Sequence, residues 1–346
     1  MVRRQILGWI LAAACMSMPG IMANAQEPEV TLRLHQFLPP QAILPSKVLK
    51  PWGEDIAQAS DGRIKIEHFD AMALGGRPPE LMDQARDGVV DMVMTVVGYT
   101  PGRFPKSEVF ELPFIMNGSV ATSKAYWDLV ESELQAEEFA DLKVLGAWVH
   151  GPGVIHTEDG IATLEDMQGV KLRGPTRVIN DLLQELGATP VGMPLPAIPE
   201  SLSKGVIDGT VIPWEVTPAI KLTELVENHT EFSGDEALYT ATFVLAMNKA
   251  RYDSLPDDLR AILDGESGMK LAELAGTEML AGDAPARAIA LDAGNTVVVL
   301  DEAEVARWKE ASEPVVGRWI AEMEGRGIDG AALIERAKEL IAQHGS

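Results

Sequence analysis

Cysteine is almost missing from this chain of 346 residues, which has only Cys15. A single thiol closes no intramolecular disulfide and supplies no thiolate set for a structural metal. Basic residues are scarce beside acids, 29 Lys and Arg against 52 Asp and Glu, a net charge of −23. A surface this acidic argues against nucleic acid and anionic membrane as partners. It also repels an anionic ligand at long range, so such a ligand needs a local positive centre inside a cleft. Catalytic signatures are lacking too: there is no Gly-x-Ser-x-Gly elbow, no His-Glu-x-x-His and no phosphate loop. The six histidines form no cluster in sequence, and His150 and His156 have no acid at metal-ligand spacing. The pattern therefore predicts no enzyme, no cofactor and no metal site.

What is present starts at the N-terminus. Arg3 and Arg4 precede an interrupted apolar run that ends at Ala23-Asn24-Ala25. A basic start, a short apolar core and an A-x-A site predict a secretory signal peptide over 1–25, cut after Ala25. Ala12-Ala13-Ala14 makes a poor lipobox for Cys15, and the apolar run continues past it, so the exported chain is expected to be free of thiols. What remains is long enough for two domains with their own cores.

Strands and helices alternate from there. Segments 30–37, 63–69, 89–97 and 142–149 read as strands; 44–60, 78–88 and a region near 119–139 read as helices. The order βαβαβ implies an α/β fold with a largely parallel sheet and helices on its faces. One pattern occurs twice: "ARDGVVDMVMTV" (85–96) has the outline of "LSKGVIDGTVIP" (202–213). Each has a helix closing at Gly, then β-branched residues and an Asp opening a strand. Either this is the routine helix-to-strand junction or the chain holds two similarly built lobes. Two lobes would imply a ligand cleft at the carboxyl ends of their strands.

The stretch "GVKLRGPTRVINDLLQELGATPVGMPLPAIPESLSKGVIDGTVIPWE" (169–215) resembles the central signature of TRAP-transporter solute receptors, which are dicarboxylate-receptor-like proteins of the periplasm. The shared marks are a strand ending in Lys-x-Arg, a helix closing at Leu-Gly-Ala, then Met-Pro, then Gly-Val-aliphatic-Asp-Gly and a Pro. "ALGGRPPELMDQARDGVVDM" (73–92), "FELPFIM" (110–116) and "FVLAMNKARYDSLPDDLRAIL" (243–263) extend the resemblance over nearly all of the chain beyond the leader.

The resemblance implies a monomeric, two-lobed periplasmic binding protein, each lobe a mixed, mostly parallel sheet flanked by helices. It implies lobes over 27–150 plus 239–278 and over 151–238 plus 279–346, with a long interlobe helix in 256–293. Gly265, Gly268, Gly276 and Pro285 interrupt that segment, so a kink or break is expected near Pro285. It further implies a periplasmic receptor that captures a small organic acid and delivers it to the integral membrane subunits of a TRAP carrier. A receptor feeding a sensor kinase or an ABC-type carrier is the alternative.

In the family, the arginine of Lys-x-Arg binds the ligand carboxylate, and Arg173 matches it. A planar guanidinium offers two parallel donors to the two carboxylate oxygens. Many members carry a second arginine, where this chain has Gly153; Val211 and Ile212 stand in for a Glu and an Asn, and Leu195 for an aromatic. These departures imply a less polar wall opposite Arg173, and hence a monocarboxylate with a modest or apolar body. Arg177, one turn on, is expected to be solvated rather than a second contact. Strand ends add Gln36, Phe37, Gly98, Tyr99, Thr100, Trp148 and His150, with Trp214 after Pro213 and Tyr239 near the crossover. Gly76 and Thr176, within the matching stretches, complete the candidate binding set.

The exported protein should begin at Gln26 and contain no thiol, which intact-mass spectrometry of periplasmic material reads directly. A diacylglycerol on Cys15 would show instead a membrane-tethered chain.

Overall fold

The computed structural model describes residues 27–345 except Asp235. The expected leader, its expected cleavage site and Cys15 lie outside the described residues. The first part of the chain forms β1 (Val30–Gln36), α1 (Lys50–Ala59), β2 (Ile64–Phe69), α2 (Leu81–Arg86), β3 (Met92–Val96), α3 (Ser119–Leu129) and β4 (Leu142–Val149). Then follow β5 (Val154–Thr157), β6 (Lys171–Gly174), α4 (Arg177–Glu185), β7 (Thr189–Gly192), α5 (Ile198–Ser203), β8 (Gly209–Ile212) and β9 (Asn228–Phe232). The rest is β10 (Thr242–Asn248), α6 (Lys249–Asp253), α7 (Asp257–Gly265), α8 (Met269–Asp292), β11 (Thr296–Leu300), α9 (Glu302–Gly325) and α10 (Gly330–His344).

Two sheets result, in the orders β2-β1-β3-β10-β4 and β11-β9-β5-β8-β6-β7. Both are mixed. Within the first, β1 is parallel to β2 and β3, while β10 is antiparallel to β3 and β4. Within the second, β6 is parallel to β7 and β8, β9 to β11, and β5 runs antiparallel to its neighbours. The antiparallel strands are the two that enter a sheet directly from the other one, β5 after β4 and β10 after β9. The parallel units are those built by helical crossovers.

The duplicated sequence pattern marks equivalent parts of the two sheets. In each, a strand pairs first with the next strand on one side and then, after a short helix, with a third on the other: β1 with β2 then β3, β6 with β7 then β8. The Asp of each repeat does the same task. Asp91 accepts the backbone N–H of Arg33 at 2.8 Å, and Asp208 accepts that of Lys171 at 2.9 Å. Each carboxylate thus ties down the central strand of its unit, β1 at its middle and β6 at its start. The fold is the two-lobed α/β arrangement, with one such unit per lobe.

The local chemistry of the second unit sets up the site. Leu172 and Arg173 are neighbours on β6, so their side chains leave on opposite faces of the sheet. Leu172 enters the core with 0 % exposure. Gly174-Pro175 ends the strand, and α4 buries Val178, Ile179, Leu182 and Leu183 along one stripe. Four such side chains stabilise by about 1.5–3 kcal/mol each, which holds α4 against the sheet and fixes the strand end that carries Arg173.

Helix α8 packs on α3 and β4 of the first lobe and on 214–220 and β11 of the second, so it crosses both. The break expected near Pro285 is not there: α8 runs unbroken from Met269 to Asp292 with Pro285 inside it. A proline removes one helical hydrogen bond, and packing along both lobes holds the remaining ones. The interruption falls earlier, between α7 and α8, where Gly268 has φ 68° and ψ −133°. Only glycine occupies that region without strain, and an added Cβ would lie 3.0 Å from the Trp127 ring. At the other end, α9 packs on α4 and α10 on α3.

Gly268→Ala should lower unfolding stability by about 1–3 kcal/mol, measured by urea denaturation. An unchanged midpoint would show that the α7–α8 turn does not require this backbone shape.

Candidate functional site

In an open α/β sheet, ligands sit beyond the carboxyl ends of strands where the chain reverses its direction of winding. Here those points lie at the ends of β1 and β3 in one lobe and of β6 and β8 in the other. A narrow cavity lies between these ends. Phe37, Leu38, Val96 and Tyr99 line it from the first pair, and Arg173, Pro175, Val211 and Ile212 from the second. Phe243 on β10, with Tyr239 and Leu195, adds apolar wall, and His150 and Glu215 add a polar patch.

Arg173 is 2 % exposed. Its Nε donates to the Met193 carbonyl at 2.8 Å and a terminal nitrogen donates to the Val211 carbonyl at 3.3 Å. Among the described residues no acidic side chain pairs with it. Burial pulls its pKa down from the ordinary arginine value, and the phenols of Tyr99 and Tyr239 beside it pull the other way. Burial raises the pKa of both phenols, so they remain hydroxyl donors at neutral pH. Tyr99 Oη accepts the Leu195 N–H at 3.0 Å and keeps its own proton free. The Tyr239 hydroxyl is buried with no partner. A guanidinium and two phenols that converge with no carboxylate among their partners can cradle one.

Of the sequence candidates, Phe37, Tyr99, His150, Arg173, Leu195 and Tyr239 meet at this cavity. The others do not line it. Gln36 turns away to the Leu38 carbonyl and Asp70, at 2.7 and 2.8 Å. Trp148 lies beneath the wall, its ring stacked on Phe243 at 6.2 Å between centroids. Gly98 sits against Thr176, whose Cγ2 would be 2.4 Å from an added Cβ, so these two form a point of lobe contact instead. Thr100 donates to the Val97 carbonyl at 3.1 Å. Gly76 belongs to an outer loop beside Glu80 and Gln84. Trp214 donates its indole N–H to Glu231 at 2.7 Å and lines a different, wider hollow. That hollow is the larger one, yet its Arg287 is already paired with Glu231 at 2.7 Å, so it offers no unsatisfied cation.

Two further expectations are corrected. Arg177 is neither solvated nor a ligand contact: it donates to Glu108 across the lobes at 2.6 Å and to Glu322 at 2.7 Å. Burial with these carboxylates decides its place. Val211 is not opposite Arg173, since its carbonyl touches the guanidinium. The histidines do form one contact, because β5 and β9 are neighbours and bring Nδ1 of His156 and of His229 to 2.7 Å. The space over Gly153 is filled as well: an added Cβ there would stand 2.0 Å from the Tyr239 ring. The tyrosine occupies the room a larger side chain at 153 would need.

Sequence reading missed Glu215 and Phe243. Phe243 lies in an unbroken buried run on β10, so no alternation singles it out. Glu215 follows Trp214 directly, and the signal was a carboxylate placed next to an otherwise apolar strand end.

Fold and cleft together define a two-lobed solute-binding receptor. The chain belongs to the bacterial extracellular solute-binding proteins, family 7 (DctP), which it matches over residues 36–322. It is 48 % identical to a TRAP solute binding protein of a marine metagenome, from an unidentified microbe, specific for aromatic acid ligands and crystallised with 3-hydroxybenzoate. The match covers 92 % of this chain and 100 % of that one at a TM-score of 0.90. A TRAP solute binding protein from Rhodoferax ferrireducens, in complex with copurified benzoate, is 49 % identical over 91 % of this chain and 98 % of that one, with a TM-score of 0.90. A Bordetella bronchiseptica receptor with bound mandelate is 32 % identical over 91 % and 99 %, with a TM-score of 0.83. The family is extracytoplasmic, and among the described residues no helix is long and apolar enough to cross a membrane.

Glu111 lies just behind the cavity, accepting the backbone N–H and the hydroxyl of Thr242 at 3.0 and 2.9 Å. Burial pushes its carboxyl up to about 7, against the hydrogen bonds from Thr242. The folded state therefore holds this proton after the unfolded chain has lost it. Its contribution to stability is full below the ordinary value of 4.5 and is lost as pH rises through about 7. Glu111→Gln should flatten the stability profile between those limits, measured by urea midpoints from pH 4.5 to 8. An equally steep profile in the variant would refute the assignment.

Proposed function

We propose that the chain is the periplasmic receptor of a TRAP-type carrier and that it captures an aromatic monocarboxylate by its carboxylate. The observation that carries this reading is Arg173, sealed in a cavity of aromatic and aliphatic walls with no acidic partner. The aromatic ligands of the relatives near half identity support the ring. Phe37, Tyr99, Tyr239 and Phe243 are the faces that would pack on it. Export by a leader cleaved after Ala25, a monomeric receptor and delivery to integral membrane subunits belong to the same proposal. So does the lobe division at 27–150 plus 239–278 against 151–238 plus 279–346, with α10 returning to pack on α3.

The described state is closed, with Arg173 shut off from solvent. Ligand in the cleft would favour this state over an open one by its contacts to both lobes, Arg173 on one side and Tyr99 on the other. The carrier would read closure. The relatives are receptors rather than enzymes, and the site has donors for an anion but no nucleophile beside a base.

Calorimetry with benzoate and its analogues tests the reading. Arg173→Ala should weaken binding by about 3–5 kcal/mol, some two to four powers of ten, because the carboxylate is left buried and unpaired. Arg173→Lys should recover only part, lacking the planar fork. Unliganded melting should change little, because a buried cation without a counter-ion adds no stability to the empty protein. Uronic and sialic acids should bind more weakly than aryl acids. Unchanged affinity in Arg173→Ala, or a polyhydroxylated sugar acid as the tightest ligand, would overturn the proposal.

A further inference from the structure

The cavity has a second unsatisfied group, of opposite sign to the first. Glu215 is 6 % exposed and lines the same space as Arg173. Its Oε1 stands 2.7 Å from Nε2 of His150, which also lines the cavity. A carboxylate oxygen only accepts, so the proton between them belongs to the imidazole. The other oxygen, Oε2, is buried and has no partner. The backbone holds both side chains in place. The Glu215 N–H donates to Asp283 at 3.0 Å, and the His150 N–H donates to the Ala241 carbonyl at 2.8 Å. Glu215 follows β8 by three residues, while Arg173 lies beside Val211 within it, and the two do not pair. The closed cleft is therefore polarised: an anion cradle at Arg173 and an acceptor at Glu215, with aromatic and aliphatic wall between them.

We infer that the His150–Glu215 pair is a specificity subsite that takes a hydroxyl on the ligand's ring, so that the receptor selects a hydroxylated aryl monocarboxylate. The inference rests on the aryl-acid reading above and deepens it. A buried acceptor without a donor costs free energy in the closed state, and a ligand that brings an O–H removes that cost. A ligand with only C–H at that position leaves Oε2 as it is. A ligand with a second carboxylate there sets two anions together in a dry space, which disfavours closure. The same residue thus favours a phenol and rejects an aromatic diacid. His150 is a positioning residue in this scheme: it holds Oε1 and leaves Oε2 without a partner.

Calorimetry on the wild-type chain with benzoate, 3-methylbenzoate, 3-hydroxybenzoate, 4-hydroxybenzoate and isophthalate is the test. The tighter hydroxybenzoate should exceed both benzoate and 3-methylbenzoate by about 10- to 100-fold, the range for a hydrogen bond to a charged group. Isophthalate should bind more weakly than benzoate. In Glu215→Leu the ratio of hydroxybenzoate to benzoate affinity should fall towards one. Equal wild-type affinities for benzoate and both hydroxybenzoates, or a ratio that survives in Glu215→Leu, would overturn the subsite while leaving the aryl-acid reading intact. Binding of none of the five would overturn that reading, and the subsite with it. If Glu215→Leu does not fold, the wild-type series decides alone.

Discussion

A guanidinium taken out of water without a counter-ion is the constraint that organises this molecule. The protein could have neutralised Arg173 with any of its abundant acids, and it does not: two backbone carbonyls and two phenols surround the charge instead. Partial dipoles orient a guanidinium but do not cancel its charge, so an anion entering the cleft gains the full interaction. The acidic surface acts in the other direction. With a net charge of −23, long-range attraction contributes nothing to capture of an anion, and selectivity falls to short contacts inside the closed cleft.

Closure and recognition share residues for that reason. β6 brings Arg173 from one lobe and the turn after β3 brings Tyr99 from the other, whose hydroxyl is itself bonded to the Leu195 N–H of the first residue's lobe. Just outside the cavity, Arg177 reaches Glu108 across the lobes, and Trp319 on α9 donates to the same carboxylate at 3.2 Å. Gly98 against Thr176 lets the two backbones approach. The cleft is thus sealed by a polar tie on one flank and by side-chain contact at its rim, while the charge inside has no acidic partner.

Much of this was legible in the residues. The duplicated Gly-Val-aliphatic-Asp pattern announced two similar units, and the matched task of Asp91 and Asp208 shows why it is there: each carboxylate secures a central strand. Arg173 stood out because a strand end feeding a helix is an odd place for a cation, and it lies buried at the cavity. What could not be read was anything that depends on strands meeting from distant parts of the chain. β10 brings Phe243 into the wall and β5 lies against β9, which joins His156 to His229. Sequence spacing carries no trace of either. The apolar wall was legible, but its polar exceptions were not. Val211 and Ile212 are apolar, as their letters say, but the carbonyl of one serves Arg173, and Glu215 a few residues on restores an acceptor. Pro285 shows the limit of local rules, since α8 is held by two lobes and tolerates a lost hydrogen bond.

The central claim is that the missing counter-ion of Arg173 is the ligand carboxylate. Comparing benzoate with benzamide isolates it, because the two have nearly the same shape and differ in charge. The account predicts one benzoate bound per chain and at least about a 100-fold weaker affinity for benzamide, the lower end of what losing a buried charge partner costs. Equal affinities for the acid and the amide would contradict it.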